Sequence, residues 1–198
     1  MDQIENTYDK EKIRKKIKHT LDKHRYQHTI GVSYTAAALA MNYDEDMRKA
    51  ELAGLLHDCA KYMPGDEMLK LCKDYQIKVA EIEQKNLFLL HAKLGSYMAE
   101  HIYGVTDKDI LNAIKWHTTG HPDMKTLEKI IFIADYIEPN RTEAPNLREI
   151  RHQAFTDLDE AMRIILKDTL DYLNSIHVEI DRMTEETYQY YMTMKRGK

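Results

Sequence analysis

The chain has 198 residues, 43% of them hydrophobic and 31% charged, enough for one domain with a substantial core and unlike a disordered chain. A formal net charge of −4 excludes the broad basic surface of a general nucleic-acid binder. The first residues are charged throughout and no apolar run approaches membrane-spanning length, so the expectation is a cytoplasmic protein with no membrane segment.

Glycine and proline are scarce, at 7 and 4, and no segment alternates cleanly with period two. Helical periodicity recurs instead, which predicts an all-α fold. A first helix is expected over about residues 9–23, where Lys10, Lys12, Arg14, Lys15, Lys16 and Lys18 ring the polar face left by Ile13, Ile17 and Leu21. That face reads as solvated rather than as an anion patch. A second helix, from Tyr26 to Met41, sets His28, Gly31, Val32, Thr35 and Leu39 along one stripe. A third runs from Glu45 to Tyr62 and stops before Pro64-Gly65, and a short helix follows that turn. Residues 87–103 carry His91, Leu94, Gly95 and Met98 on one face, and Asp107 to His117 carries Ile110, Ala113, Ile114 and His117. After a break at residues 118–122, a helix from Thr126 to Glu138 is stopped by Pro139, and a loop extends to Pro145. One long helical region is expected from Leu147 to Ile180, then a terminal helix whose Tyr188, Tyr190, Tyr191, Met192 and Met194 read as core or partner-helix contacts. Residues 1–198 are expected to form a single helical domain, with its core over about 20–140 and C-terminal helices over about 147–195.

Histidine and aspartate occupy positions where a plain helical core would place leucine. A lone histidine on an apolar stripe is ordinarily a satisfied core residue. His28, His91 and His117 lie on three separate stripes, and a shared metal would supply each buried ring with one partner. Asp135 lies inside Lys129-Ile130-Ile131-Phe132-Ile133-Ala134-Asp135-Tyr136-Ile137, the most apolar segment of the chain. An unpaired carboxylate there would cost several kcal/mol, so it is protonated, ion-paired or facing a metal.

Between these lies His57-Asp58. Leu52, Leu55, Leu56 and Cys59 make the local apolar stripe, which leaves Gly54, His57, Asp58 and Lys61 on the other side. Solvent exposure of that side stays open, although Ala50, Ala53 and Gly54 suit close helix approach better. Lys61 reads equally as a phosphate ligand or as a partner of Asp58. Cys59, flanked by Asp58 and Ala60, reads as a small buried packing residue that stays a thiol, like Cys72. Four imidazoles and two carboxylates exceed the needs of one tetrahedral zinc and fit two octahedral-type ions. Imidazole and carboxylate without thiolate favour iron or manganese, with zinc or nickel as alternatives. Two such ions about 3.5–4 Å apart are a recurring device for displacement at phosphorus.

The order His28, His57-Asp58, His91, His117, Asp135 resembles the two-metal HD-domain phosphohydrolases. Arg25-Tyr26-Gln27-His28-Thr29-Ile30-Gly31-Val32, Leu55-Leu56-His57-Asp58-Cys59-Ala60-Lys61, Trp116-His117-Thr118-Thr119-Gly120 and Ile133-Ala134-Asp135-Tyr136-Ile137-Glu138-Pro139-Asn140-Arg141 are similar to the bacterial YqeK family, over about residues 20–175. The resemblance implies an HD helical bundle with the metal site between core helices. It also implies a homodimer, usually iron-loaded, that splits diadenosine tetraphosphate symmetrically into two ADP by a metal-activated water. His28, His57, Asp58 and Asp135 would hold one metal, and Asp58, His91 and His117 the other. Asp58 and Lys61 are the expected catalytic residues, with Lys61 touching phosphate. Arg25, Thr118, His121 and Arg141 are further substrate candidates, each equally readable as structural; Arg141, for instance, could simply pair with Glu138 or Glu143. Alternatives are another HD phosphohydrolase acting on nucleoside phosphates or guanosine polyphosphates, a di-iron oxygenase, and a non-catalytic nucleotide-binding module.

Overall fold

In the computed structural model, residues 8–194 are described, and every regular element among them is helical. The helices are α1 (Lys10–Thr20), α2 (Lys23–Asn42), α3 (Met47–Leu56), α4 (Gly65–Asp74), α5 (Glu81–Lys85), α6 (Leu90–His101), α7 (Lys108–Trp116), α8 (Thr126–Ile137), α9 (Leu147–Gln153), α10 (Leu158–Ser175) and α11 (Arg182–Thr193). A single 3-10 turn over Leu87–Leu89 leads into α6. Aspartates set many of the starts: Asp9, Asp22, Asp46, Asp107, Asp157 and Asp181 each accept from a first-turn N–H of the helix that follows. A carboxylate at that position satisfies otherwise orphaned donors and complements the helix dipole.

Three departures from the periodicity have local causes. The expected helix over 45–62 is regular only to Leu56. Beyond it the N–H groups of Cys59, Lys61 and Met63 bond to Leu56, Asp58 and Ala60, three residues back. His57-Asp58 therefore stands at a tightened helix end, where the His57 ring donates to the Gly54 carbonyl at 2.7 Å and competes with continuation of the helix. The expected long helix from Leu147 is instead α9 and α10. Asp157 sits extended between them and caps α10 through Asp159 and Glu160. The short α5 follows a polar stretch in which no apolar period is visible.

One hydrophobic cluster runs from Ile13 to Tyr191 and takes in both ends of the described chain. At its centre α2 packs most extensively on α3, while α8 lies against α2, α3, α7 and α10. In α11, Tyr191 is buried and Tyr188 and Tyr190 pack partly against the core, whereas Met192 and Met194 are exposed. No described helix is long and apolar enough to cross a membrane.

The α2–α3 contact depends on a missing side chain. A Cβ on Gly54 would lie 2.8 Å from the Ser33 Cα of α2, so the side left open by the sequence pattern is a helix interface. Helix propensity alone predicts that Gly54→Ala stabilises by about 0.5–1 kcal/mol. Overpacking against backbone reverses the sign, and the expected result is a loss of about 1–3 kcal/mol in a denaturant melt.

Candidate metal centre

Five helices deliver the six expected ligands to one place: His28 from α2, His57 and Asp58 from the end of α3, His91 from α6, His117 from the end of α7 and Asp135 from α8. Asp58 is the hub, with no solvent exposure. Its Oδ2 lies 3.4 Å from His57 Nε2 and 3.9 Å from His28 Nε2. Its Oδ1 lies 3.5 Å from both His91 Nε2 and His117 Nε2. The two oxygens thus face two different histidine pairs. Asp135 joins the first pair, with Oδ1 2.9 Å from His28 Nε2 and 3.8 Å from His57 Nε2. Its side chain keeps 18% exposure, so the cluster opens to solvent on that side.

The ring orientations settle which nitrogens face inward. Nδ1 of His57, His91 and His117 bonds to the main-chain carbonyl three residues earlier, Gly54, Phe88 and Ile114 respectively. Nδ1 of His28 bonds to Glu138 Oε1 at 3.1 Å. Each partner accepts only, so each Nδ1 carries a proton and each ring turns its Nε2 toward the carboxylates, where the neutral form offers a lone pair. His91 Nε2 and His117 Nε2 then stand 3.1 Å apart as two acceptors. The Thr118 hydroxyl is 3.2 Å from both, and its single proton serves only one. His57 Nε2 is buried without a hydrogen-bond partner, His28 Nε2 faces the Asp135 carboxylate, and Asp58 Oδ1 meets the Lys61 ammonium. Converging acceptors of this kind call for a cation. The donor set of neutral nitrogens and carboxylate oxygens fits a divalent metal, and Cys59 is turned away to the Gly95 carbonyl.

Positive side chains rim the opening. Arg25 Nη1 lies 3.0 Å from Asp58 Oδ2, and Lys61 Nζ lies 3.2 Å from Asp58 Oδ1 and 4.8 Å above the Phe88 ring. The Arg141 guanidinium reaches Asp135 rather than Glu138 or Glu143, with Nε 3.3 Å from the Asp135 carbonyl and Nη2 3.5 Å from Oδ1. Arg25, Lys61, Thr118 and Arg141 are therefore gathered at the centre. His121 is not: its Nδ1 faces the Pro122 carbonyl at 2.7 Å and its Nε2 faces Glu128 at 3.0 Å, so both nitrogens are engaged at the start of α8.

Sequence reasoning offered Glu138 only as a partner for Arg141 and gave no role to Asn140. Glu138 is only 1% exposed and holds His28, while Asn140 holds Glu138 through its main-chain N–H at 2.8 Å and its side-chain amide at 2.9 Å. The buried-carboxylate reasoning applied to Asp135 covers Glu138 too, three residues on at the same helix end. Pro139 directed attention to the helix stop instead.

Helical layers that bury an acceptor-lined His/Asp centre define a metal-binding hydrolase of the HD type. A family model for the HD domain matches residues 25–140, a stretch that contains all six clustered residues. The chain belongs to the HD domain family and, within it, to the YqeK group. It is 44% identical over 177 residues to the symmetrical bis(5'-nucleosyl)-tetraphosphatase of Halalkalibacterium halodurans, covering 87% of this chain and 91% of that protein. The protein of the same description from Bacillus subtilis is 43% identical, over 79% of this chain and 83% of its own. A solved Clostridium acetobutylicum structure, described as a predicted HD superfamily hydrolase involved in NAD metabolism, superposes with a TM-score of 0.90. It is 38% identical and covers 93% of this chain and 97% of that one.

The electrostatics of the centre divide by ring. Burial alone would lower the His28 pKa, but Asp135 and Glu138 outweigh it and raise the value, so a proton and a metal compete for its Nε2. For His91, burial, with Lys61 and His117 adding to it, pushes the pKa down to about 3. Burial opposes charge on Asp58 and Asp135, yet His57 and Lys61 beside both, with His117 at Asp58 and His28 at Asp135, hold the two carboxyls well below their usual range.

A histidine depressed from 6.5 to about 3 gives stability that is present above 6.5 and lost as pH falls through that window. Raised His28 has the opposite sign, and the aspartates act only below the ordinary carboxylate range of about 4. The metal-free wild type is therefore expected to lose more melting temperature than His91→Gln between pH 6.5 and 4.5. Parallel losses in the two proteins would show that His91 is not held neutral.

Proposed function

We propose that this chain is a symmetrical bis(5'-nucleosyl)-tetraphosphatase that hydrolyses diadenosine tetraphosphate to two ADP, with two metal ions held by His28, His57, Asp58, His91, His117 and Asp135. The observation that carries the two-metal reading is Asp58, whose two oxygens serve different histidine pairs. His28, His57, Asp58 and Asp135 would hold one ion, and Asp58, His91 and His117 the other. Bound there, the ions would supply Lewis-acid charge neutralisation and an activated water.

The residues of the chain do the rest. Arg25, Lys61 and Arg141 bring three positive charges to the opening beside Asp135, where they match the charge of a polyphosphate and orient its central phosphates. Lys61, only 13% exposed, is placed to stabilise charge on a phosphoryl oxygen during displacement. Thr118 holds the His91 and His117 rings from the inner edge. His57, His91 and His117, fixed by their own helix carbonyls, need no reorganisation as charge develops. ADP is a good leaving group, and no protein acid is assigned to it.

Nitrogen and oxygen donors without thiolate support iron as the ion, with manganese, zinc or nickel as alternatives. A single-domain cytoplasmic homodimer completes the reading. The dimer is supported by the family resemblance.

Diadenosine tetraphosphate supplied to anaerobically purified enzyme is expected to give ADP as the sole nucleotide product, whereas AMP with ATP would contradict the reading. Lys61→Ala is expected to lower kcat by about 10²–10³-fold with metal content unchanged. A Lys61→Ala enzyme with wild-type turnover would remove Lys61 from the mechanism.

A further inference from the structure

We propose that Glu138 is a positioning residue that makes the His28 half of the centre the tighter of two metal sites; the inference rests on the two-metal reading above. Three of the four clustered histidines donate Nδ1–H to neutral main-chain carbonyls. His28 alone donates to a carboxylate. A charged acceptor makes an imidazole a stronger ligand and fixes its tautomer and tilt more firmly than an amide carbonyl does.

Both oxygens of Glu138 are committed. Oε1 takes His28, and Oε2 takes the two Asn140 donors. The backbone beneath is pinned as well, since Arg151 donates to the carbonyls of Ile137, Glu138 and Arg141. Gly31 makes room for the carboxylate. It lies three residues after His28 on α2, and a Cβ there would collide with Glu138 Oε2. Since Gly31 has an ordinary helical backbone, without positive φ, its value to the fold lies in that space rather than in conformational freedom.

Charge is unequal between the halves. Glu138 and Asp135 both lie on the His28 side, and Asp58 is shared. Arg25 and Arg141 approach the same side, but with 31% and 44% of their side chains exposed their fields are screened by water. Glu138, with 2% of its side chain exposed, is not screened in this way.

The test is anaerobic titration of metal-free protein with Mn²⁺, counting free Mn²⁺ by its EPR signal, together with melting of the metal-free proteins. A His117→Ala background marks the step that belongs to the His28 half. Glu138→Gln, which keeps an acceptor and removes the charge, is expected to weaken that step by about 10–100-fold. It should leave the other step unmoved. Gly31→Ala, which displaces the carboxylate without altering it, is expected to weaken the same step. Unchanged affinities in Glu138→Gln would overturn the proposal, and so would equal weakening of both steps with a fall in metal-free melting temperature. A wild type that binds one Mn²⁺ would remove the two-metal reading and with it the ranking of two sites; if Glu138→Gln then bound that single ion as tightly as wild type, the role of Glu138 would fall as well.

Discussion

Asp58 has no solvent exposure, and the Nε2 atoms of four histidine rings are turned toward it. Buried acceptors repel one another and have lost their water, so the arrangement is costly unless positive charge is placed among them. Without a metal, that charge comes from the tips of Arg25 and Lys61, and the acidic neighbours of His28 favour its protonated form. The surrounding fold is organised around holding the acceptors in place. Each ring is locked from behind by a partner that only accepts, and the four rings arrive from the middle or end of four different helices, so no one helix can relieve the crowding by moving.

That constraint explains features that propensity does not. Gly54 lets α2 and α3 approach closely enough for His28 and Asp58 to share a centre. The tightened turns after Leu56 aim His57 and Asp58 inward, and a ring bonded to its own helix carbonyl produces the same geometry again at His91 and His117. Arg25 and Lys61 reach Asp58 while Arg141 reaches the partly exposed Asp135, so the buried acceptors are bordered by cations.

Much of the centre was legible in the sequence because burial leaves a mark on pattern. His28, His91 and His117 interrupt apolar stripes, and Asp135 interrupts the most apolar segment. His57-Asp58 was harder, since its side of the helix looked equally suited to solvent; only the tertiary approach over Gly54 buries it. His121 carried the same chemical promise as the true cluster members, but it is consumed by Glu128, a pairing that local pattern does not reveal. The all-helical class followed from composition and period. The break between α9 and α10 did not, because Asp157 acts through cap geometry inside a stretch whose apolar period continues. Glu138 was hidden by its neighbour Pro139, which reads as punctuation.

The central claim is that Asp58 is shared between two metal sites. The most direct measurement is an anomalous difference map from crystals grown anaerobically with the metal retained, collected at the absorption edge of that metal. The account predicts two peaks per chain about 3.5–4 Å apart, one beside each oxygen of Asp58, the first among His28, His57 and Asp135 and the second between His91 and His117. One peak, or peaks that do not touch Asp58, would contradict it.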